Sequence, residues 1–404
     1  MNQIPTNRPP TPRPTKPKYQ GRPIRLPKKC APPKALVIAT TLTAILLVIS
    51  IMVLSIALLV GPINNFDNDS GGKKKSKEQQ NEQVEENNGI FTTLELPCST
   101  PKKNYKSTGA GATIGNEIAS DYAALISLTS NTAVASKGAD EVIHPASMTK
   151  VMTVLVACEN AKASNALLTV KQEMLDRRKA LDGSGELVEN ASVLDPNGDV
   201  KKIPGLGKSI TVEDALYLIN YQSDTVACLM IAEYVAGSEA EFVKLMNQKA
   251  QEIGLTDTSF VNCTGLTEKD GRHNKTTCRE MAAIMACAIQ NEAARRVITS
   301  TERRLVTIYE NGEKTPYRLS FFADWENKRL GGDTTVGKVE ILGGKTGYEN
   351  IPSACLVTYA KNQSTGEEYV CVTVGAKDAV ADSSTGINNP QAATDTKAVY
   401  KNYV

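Results

Sequence analysis

The chain has 404 residues, a length that allows one large domain or two ordinary ones. Its 46 basic and 44 acidic side chains leave a net charge of +2, which argues against a dedicated nucleic-acid-binding protein. A hydrophobic content of 41% is that of a globular protein and not of a disordered one. Because the chain has two histidines, a histidine-based hydrolytic triad would have to use His144 or His273, and a metal site with several histidine ligands cannot be built.

The first 60 residues have the pattern of a membrane anchor behind a basic arm. Residues 1–34 contain nine Lys or Arg, ten of the 19 prolines and no acid, a composition typical of a disordered arm. Residues 35–60 carry no charge, and as a helix they would cross a hydrocarbon core of about 30 Å. A cleaved signal peptide would have an apolar region of only about 7–15 residues, so the length favours an uncleaved anchor. Basic flanks stay cytoplasmic, which predicts a single-pass protein of the cell membrane with a cytoplasmic N-terminus and an extracytoplasmic folded part.

The remaining chain divides into a tether and a folded domain. Residues 61–110 begin with a polar stretch, almost free of apolar side chains, and are predicted to be a solvated tether. From residue 111 to 404 the patterns become those of a globular domain. Its first signal is a hairpin, indicated by alternating runs at 122–129 and 132–136 around Ser130-Asn131.

Helical patterns occupy the middle of this domain, and strand patterns return at its end. The helical stretch runs from about 145 to 295, apart from a Gly/Asp/Asn-rich insert near 181–208. Capping patterns open three of its helices, at Thr211, Ser238 and Thr277. Three late strands are predicted, at 336–342, 354–360 and 369–375. This order predicts an α/β (α+β) domain with one antiparallel sheet built from both ends of the domain and a mostly helical middle packed against it.

Nine cysteines leave the thiol chemistry open. Cys355 and Cys371 flank a predicted turn and would face each other across a hairpin, either as a disulfide or as two small buried residues. The chain has no C-x-x-C pair, which excludes a zinc ribbon.

Three short motifs carry the candidate chemistry. The first is Ser147-Met-Thr-Lys150, at the start of a predicted helix. Residues three apart on a helix share a face, so the lysine amine can reach the serine hydroxyl. A serine becomes a good nucleophile when a neighbouring base takes its proton, and a lysine serves as that base when burial lowers its pKa. Alone the motif is weak, because the S-x-x-K pattern also occurs at Ser70/Lys73 and Ser99/Lys102.

The other two motifs lie later in the chain. Lys345-Thr346-Gly347 precedes Tyr348 on a predicted strand, where a lysine and a threonine hydroxyl could bind a carboxylate. Ser223-Asp224-Thr225 lies in a break between two helical stretches and would by itself be taken for a helix cap.

Taken in this order, the three motifs are typical of the active-site serine enzymes that recognise penicillin. From about residue 114 to 404 the sequence resembles the low-molecular-mass penicillin-binding proteins, specifically the D-alanyl-D-alanine carboxypeptidases. The segments that carry the resemblance are HPASMTKVMT, ITVEDALYLI, MIAEYVAGS, GLTDTSFVNCTGL followed by His273, and GGKTGY. The resemblance implies a DD-peptidase/β-lactamase-like fold, no metal or cofactor, peptidoglycan stem peptides ending in D-Ala-D-Ala as substrate, and covalent binding of β-lactam antibiotics.

The resemblance also implies a role for each residue. Ser147 would be the acylated nucleophile, Lys150 its proton acceptor, and Ser223 the residue that relays a proton to the leaving amine. The substrate-binding residues would be Thr225, Lys345, Thr346, Gly347 and Tyr348. Lys345 and Thr346 would hold the terminal carboxylate of the substrate, and the backbone N–H groups of Ser147 and Tyr348 would form the oxyanion hole.

Thr225 departs from the family pattern, which has Asn at this position. The change removes at least one hydrogen bond and predicts a slower enzyme, by about tenfold or less. Three alternatives follow: a catalytically silent homologue that binds cell-wall peptide, a serine β-lactamase, and an endopeptidase on cross-linked stems. Against the β-lactamase, no E-x-x-L-N segment lies between Ser147 and Ser223 to supply a deacylating carboxylate.

Overall fold

A computed structural model describes residues 93–182, 192–194, 200–202, 205–300, 305–319, 330, 333–349, 353–376 and 390–404. The predicted arm at 1–34, the predicted span at 35–60 and residues 61–92 of the tether lie outside the described residues, as does much of the insert. Among the helices in the described ranges, none is both long and apolar enough to cross a membrane. The anchor at 35–60 therefore stays a prediction.

The secondary-structure elements follow one another in a β–α–β order. The strands are β1 (Ala112–Thr113), β2 (Tyr122–Ser127), β3 (Thr132–Lys137), β4 (Leu167–Thr169), β5 (Ser192–Leu194), β6 (Val200–Lys202), β7 (Ser209–Thr211), β8 (Leu305–Glu310), β9 (Glu313–Leu319), β10 (Thr335–Val336), β11 (Val339–Glu349), β12 (Ser353–Asn362) and β13 (Glu368–Ala376). The helices are α1 (Lys150–Asn160), α2 (Gln172–Asp182), α3 (Val212–Tyr221), α4 (Thr225–Ala236), α5 (Glu239–Glu252), α6 (Cys278–Gln290), α7 (Glu292–Thr299) and α8 (Pro390–Tyr403). A 3-10 turn, Ala146–Thr149, precedes α1.

The main sheet joins the two ends of the domain, which confirms the prediction. Its strand order is β1-β3-β2-β13-β12-β11-β10, so that the N-terminal hairpin β2–β3 pairs with the last strand, β13. The pairings are antiparallel apart from the two-residue β1, which runs parallel to β3. Helix α6 is buried along nearly its whole length and packs against β2, β12, β13 and α1.

Three helix starts confirm the capping patterns. The hydroxyl groups of Thr211, Ser238 and Thr277 accept the backbone N–H three residues later, at 3.0, 3.2 and 3.1 Å. Each bond satisfies one of the backbone donors that a helix start leaves without a partner.

Two features of the fold were not predicted. A second sheet has the order β4-β7-β8-β9-β5-β6, and three of its strands lie within or next to the insert. The chain also ends in helix α8, which packs on β12 and β13 through hydroxyl pairs of Tyr400 with Thr358 and of Thr396 with Thr373, both at 3.0 Å.

The expected meeting of Cys355 and Cys371 across the hairpin is wrong. In the register of β12 and β13, Cys355 pairs with Val374, and Cys371 pairs with Thr358. The two residues are therefore offset along the strands. Each of the eight cysteines from Cys98 to Cys371 is a free thiol, and all but Cys98 are buried.

Candidate active site

The turn before α1 presents Ser147. The preceding residue, Ala146, has a φ of 45°, which is unusual for a residue with a side chain. Its backbone N–H donates to Nδ1 of the buried His144 at 2.9 Å, and this bond holds the turn in its conformation. Ser147 is half-buried at the second position of the 3-10 turn, and Lys150 is the first residue of α1. The predicted nucleophile therefore lies on a fixed turn at the start of the helix.

Lys150 lies against Ser147, as the spacing predicts. Its Nζ is 3.0 Å from the Ser147 Oγ and donates to the backbone carbonyl of Thr264 at 2.6 Å. The lysine is 1% exposed, and burial lowers the pKa of its amine. The charges of Cys228, Cys263, Asp224 and Glu349 act in the opposite direction. A buried lysine with a lowered pKa and one hydroxyl neighbour is suited to take up that hydroxyl's proton.

The break between α3 and α4 presents Ser223. Its φ of 56° is again in the left-handed region, so the chain turns sharply at this residue. Asp224 caps α4 by accepting the Ala227 N–H at 2.7 Å. Ser223 lies just before the cap, half-buried, and its Oγ accepts a hydrogen bond from Lys345 Nζ at 3.1 Å. The structure thus joins the second and third motifs directly.

Strand β11 places the third motif beside the nucleophile turn. Lys345 is wholly buried, and its Nζ also donates to the carbonyl of Thr346 at 2.9 Å. Gly347 leaves no room for a side chain, because a Cβ there would lie 2.5 Å from the Cys355 Sγ and 3.0 Å from the Pro145 carbonyl oxygen. This close approach brings the strand against the residues that precede Ser147. Tyr348, by contrast, is 54% exposed at the edge of the site.

Thr225, the residue that departs from the family pattern, is the first residue of α4 and is half-buried. Among the described residues, no hydrogen bond joins its hydroxyl to Lys150. The missing contact that the substitution predicts is consistent with this geometry.

The sequence did not indicate that the loop between α5 and α6 closes the site. This loop supplies the Thr264 carbonyl to Lys150, and its Asn274 donates to the Thr149 hydroxyl at 3.0 Å. Gly265 of the loop, at φ 84°, packs so closely on the nucleophile turn that a Cβ would lie 1.9 Å from the Ala146 carbonyl oxygen. The only advance signal was the segment VNCTGL, which carried resemblance but no assigned role.

The two histidines also meet here without forming a triad. The rings of His144 and His273 stack at 4.8 Å between centroids, with 10° between their planes. Burial, aided by the neighbouring His273, lowers the pKa of His144 to about 4. His144 contacts the Ala146 backbone and the Thr267 hydroxyl, and in the described part of the chain no cluster of three His, Cys, Asp or Glu side chains could hold a metal ion.

Comparison with protein families supports the same site. The family model of D-alanyl-D-alanine carboxypeptidase, peptidase S11, matches residues 107–378. The chain is 34% identical over 181 residues to the D-alanyl-D-alanine carboxypeptidase DacF of Bacillus subtilis, covering 45% of this chain and 41% of that protein. It is 27% identical over 262 residues to a D-alanyl-D-alanine endopeptidase of Escherichia coli, covering 64% of this chain and 72% of that protein. The match thus spans less than half the length of the carboxypeptidase.

Solved structures show the same fold. A mutant of a Streptomyces DD-transpeptidase superposes with a TM-score of 0.54 at 19% identity, covering 70% of this chain and 97% of that one. A D-alanyl-D-alanine carboxypeptidase from Mycobacterium tuberculosis gives a TM-score of 0.51 at 18% identity, covering 73% of this chain and 95% of that one. At this identity the likeness concerns the fold, and it confirms the predicted mixed α/β DD-peptidase fold.

Proposed function

Since this chain belongs to the D-alanyl-D-alanine carboxypeptidase family, peptidase S11, we propose that it removes the terminal D-alanine from peptidoglycan stem peptides through an acyl-enzyme on Ser147. The observation that carries the proposal is the 3.0 Å contact between Ser147 Oγ and the Nζ of the buried Lys150. No metal or cofactor enters the proposed reaction.

Acylation begins at the serine–lysine pair. The neutral Lys150 amine takes the Ser147 proton while the serine oxygen attacks the carbonyl between the two D-alanines. The backbone N–H groups of Ser147 and Tyr348 stabilise the resulting oxyanion, and such a donor contributes about 3–4 kcal/mol to catalysis. The carbon–nitrogen bond then breaks, and the proton passes through Ser223 to the leaving amine. Water later attacks the ester and restores the serine.

Substrate selection falls to strand β11. Lys345 and Thr346 bind the free carboxylate of the terminal D-alanine, and Gly347 lets the peptide approach the strand. The 3.1 Å bond from Lys345 Nζ to Ser223 Oγ supports a shared role, because the residue that binds the carboxylate also orients the proton relay. A β-lactam, which presents a carboxylate and a reactive carbonyl, would acylate Ser147 in the same way.

We place this reaction outside the cytoplasm of a bacterial cell. The uncharged stretch at 35–60 would be a single membrane span, with the basic arm at 1–34 in the cytoplasm and a tether up to about residue 110. Peptidoglycan lies on the outer side of that membrane, which is where the catalytic domain would then stand.

Endopeptidase activity is a second candidate, because the match to relatives of that name covers more of both chains than the match to the carboxypeptidases does. The two activities share the acylation chemistry and differ in the group that leaves. The silent homologue and the β-lactamase are not favoured, since the serine–lysine geometry is intact and the E-x-x-L-N segment is missing.

The proposal is tested by acylation of the full chain with a labelled penicillin, followed by mass mapping of the modified peptide. We expect a long-lived adduct on Ser147 and none in Ser147→Ala. D-alanine release from a pentapeptide is then compared with cleavage of a cross-linked dimer, which separates the carboxypeptidase from the endopeptidase. A label on another residue, or rapid turnover of the penicillin, would contradict the proposal.

A further inference from the structure

The Thr264 carbonyl fixes the orientation of the Lys150 amine. A neutral amine has two N–H donors and one lone pair. When one N–H donates to Thr264 O at 2.6 Å, rotation about the terminal bond is restricted, and the lone pair can be directed at the Ser147 hydroxyl. The position of this one carbonyl therefore bears on how well the lysine acts as a base.

The carbonyl belongs to a loop segment that Asn262 organises. The Asn262 side-chain oxygen accepts the backbone N–H groups of Thr264 and Gly265, at 3.2 and 2.8 Å. Its amide nitrogen donates to the Leu266 carbonyl at 2.8 Å and to Glu268 Oε1 at 3.0 Å. Asn262 and Thr264 are wholly buried, so these bonds are shielded from water.

Arg177 of α2 fastens this loop from the opposite side. Its two terminal nitrogens donate to both carboxylate oxygens of Glu268, at 2.8 and 2.7 Å, and its Nε donates to Glu239 at 2.6 Å. Glu239 in turn accepts the backbone N–H of Cys263 at 3.3 Å. The pKa of Glu268 is lowered: burial alone would raise it, but the hydrogen bonds from Arg177 and Asn262 outweigh that effect.

On the basis of these contacts we infer that Arg177 is a positioning residue for the reaction proposed above: by clamping Glu268 and Glu239 it holds the loop that presents the Thr264 carbonyl to Lys150. The inference rests on the proposed role of Lys150 as the base. Arg177 itself contacts none of the three motifs, so its effect reaches the reacting atoms only through the loop.

The test measures penicillin acylation of Ser147 by the full chain as a function of pH. In Arg177→Gln we expect acylation to slow by about 10–100-fold, because small misplacements far from the reacting atoms cost rates of this order. The acidic limb of the profile should also move to higher pH. The loop buries Lys150, and water admitted by a loosened loop would raise the pKa of the amine. The groups that face Lys150, namely Cys228, Cys263, Asp224 and Glu349, are unchanged in this variant.

Arg272→Gln is the matched control. Arg272 lies on the same loop and pairs with Asp270 at 2.8 Å, but both side chains are largely exposed. It should acylate like the parent protein. Arg177→Lys, which keeps the charge but loses the two-pronged bond, should fall between the two and serves if the Gln variant does not fold.

A rate for the Arg177 variants equal to that of the parent would overturn the inference, and so would a slower rate with an unmoved acidic limb, which would indicate only a loss of folded protein. Failure of the proposed function has a different signature, because the parent protein itself would then not be acylated at Ser147.

Discussion

His144 should couple the stability of the nucleophile turn to pH. Its Nδ1 accepts the Ala146 N–H, which requires an uncharged ring with the proton on Nε2. The folded protein holds the pKa of His144 at about 4, whereas an unfolded histidine titrates near 6.5. Between these values the unfolded chain binds more protons, so the free energy of unfolding falls as the pH falls. From about pH 7.5 to about pH 5 the expected loss is about 2 kcal/mol.

The measurement is urea unfolding of the parent protein and of His144→Gln at both pH values. A glutamine does not titrate, so the difference in unfolding free energy between the two proteins should shrink by about 2 kcal/mol at the lower pH. His273→Gln is the control, since burial is the larger cause of the lowered pKa and most of the effect should persist. A difference between the parent protein and His144→Gln that stays constant with pH would refute the reasoning.

Three further predictions concern the motifs. Thr225→Asn should restore a hydrogen bond and speed penicillin acylation by up to about tenfold, and an unchanged rate would contradict the explanation given for this position. Lys150→Arg should slow acylation by about 10²–10⁴-fold, because a guanidinium keeps the charge but cannot accept a proton; parent-like acylation would exclude the lysine as base. Gly347→Ala should cost about 1–3 kcal/mol of unfolding free energy and slow acylation, since its Cβ would meet the Cys355 Sγ at 2.5 Å, and Cys355→Ala should relieve part of both effects.

The sequence predicted those features that depend on local pattern. The alternating runs and the capping residues determined the hairpin β2–β3 and the starts of three helices, because their hydrogen bonds are made within a few residues. The spacing of Ser147 and Lys150 also predicted their contact, since it needs only one turn of helix.

Contacts between distant segments were not predictable in this way. The Thr264 carbonyl lies 114 positions from Lys150, and a backbone acceptor leaves no signature in the sequence. The pair of stacked histidines and the Arg177 clamp depend likewise on tertiary packing. Strands of three residues, such as β5 and β6, are too short for an alternating pattern, which explains why the second sheet was missed.

The register of β12 and β13 shows the same limit. Equal spacing about a turn suggested that Cys355 and Cys371 face each other, but an irregularity between Ala354 and Cys355 and the actual position of the turn shift the pairing. Helix α8 was missed because its sequence is mostly polar, and its buried face is recognisable only once β12 and β13 are in place.

The most direct test of the proposed function is the release of free D-alanine from a pentapeptide ending in D-Ala-D-Ala, measured with the full chain and with Ser147→Ala. We predict release by the parent protein and its complete loss in the variant. Folded protein that is acylated by penicillin on Ser147 yet releases no D-alanine would contradict the carboxypeptidase assignment, and release that persists in Ser147→Ala would contradict the assignment of the nucleophile.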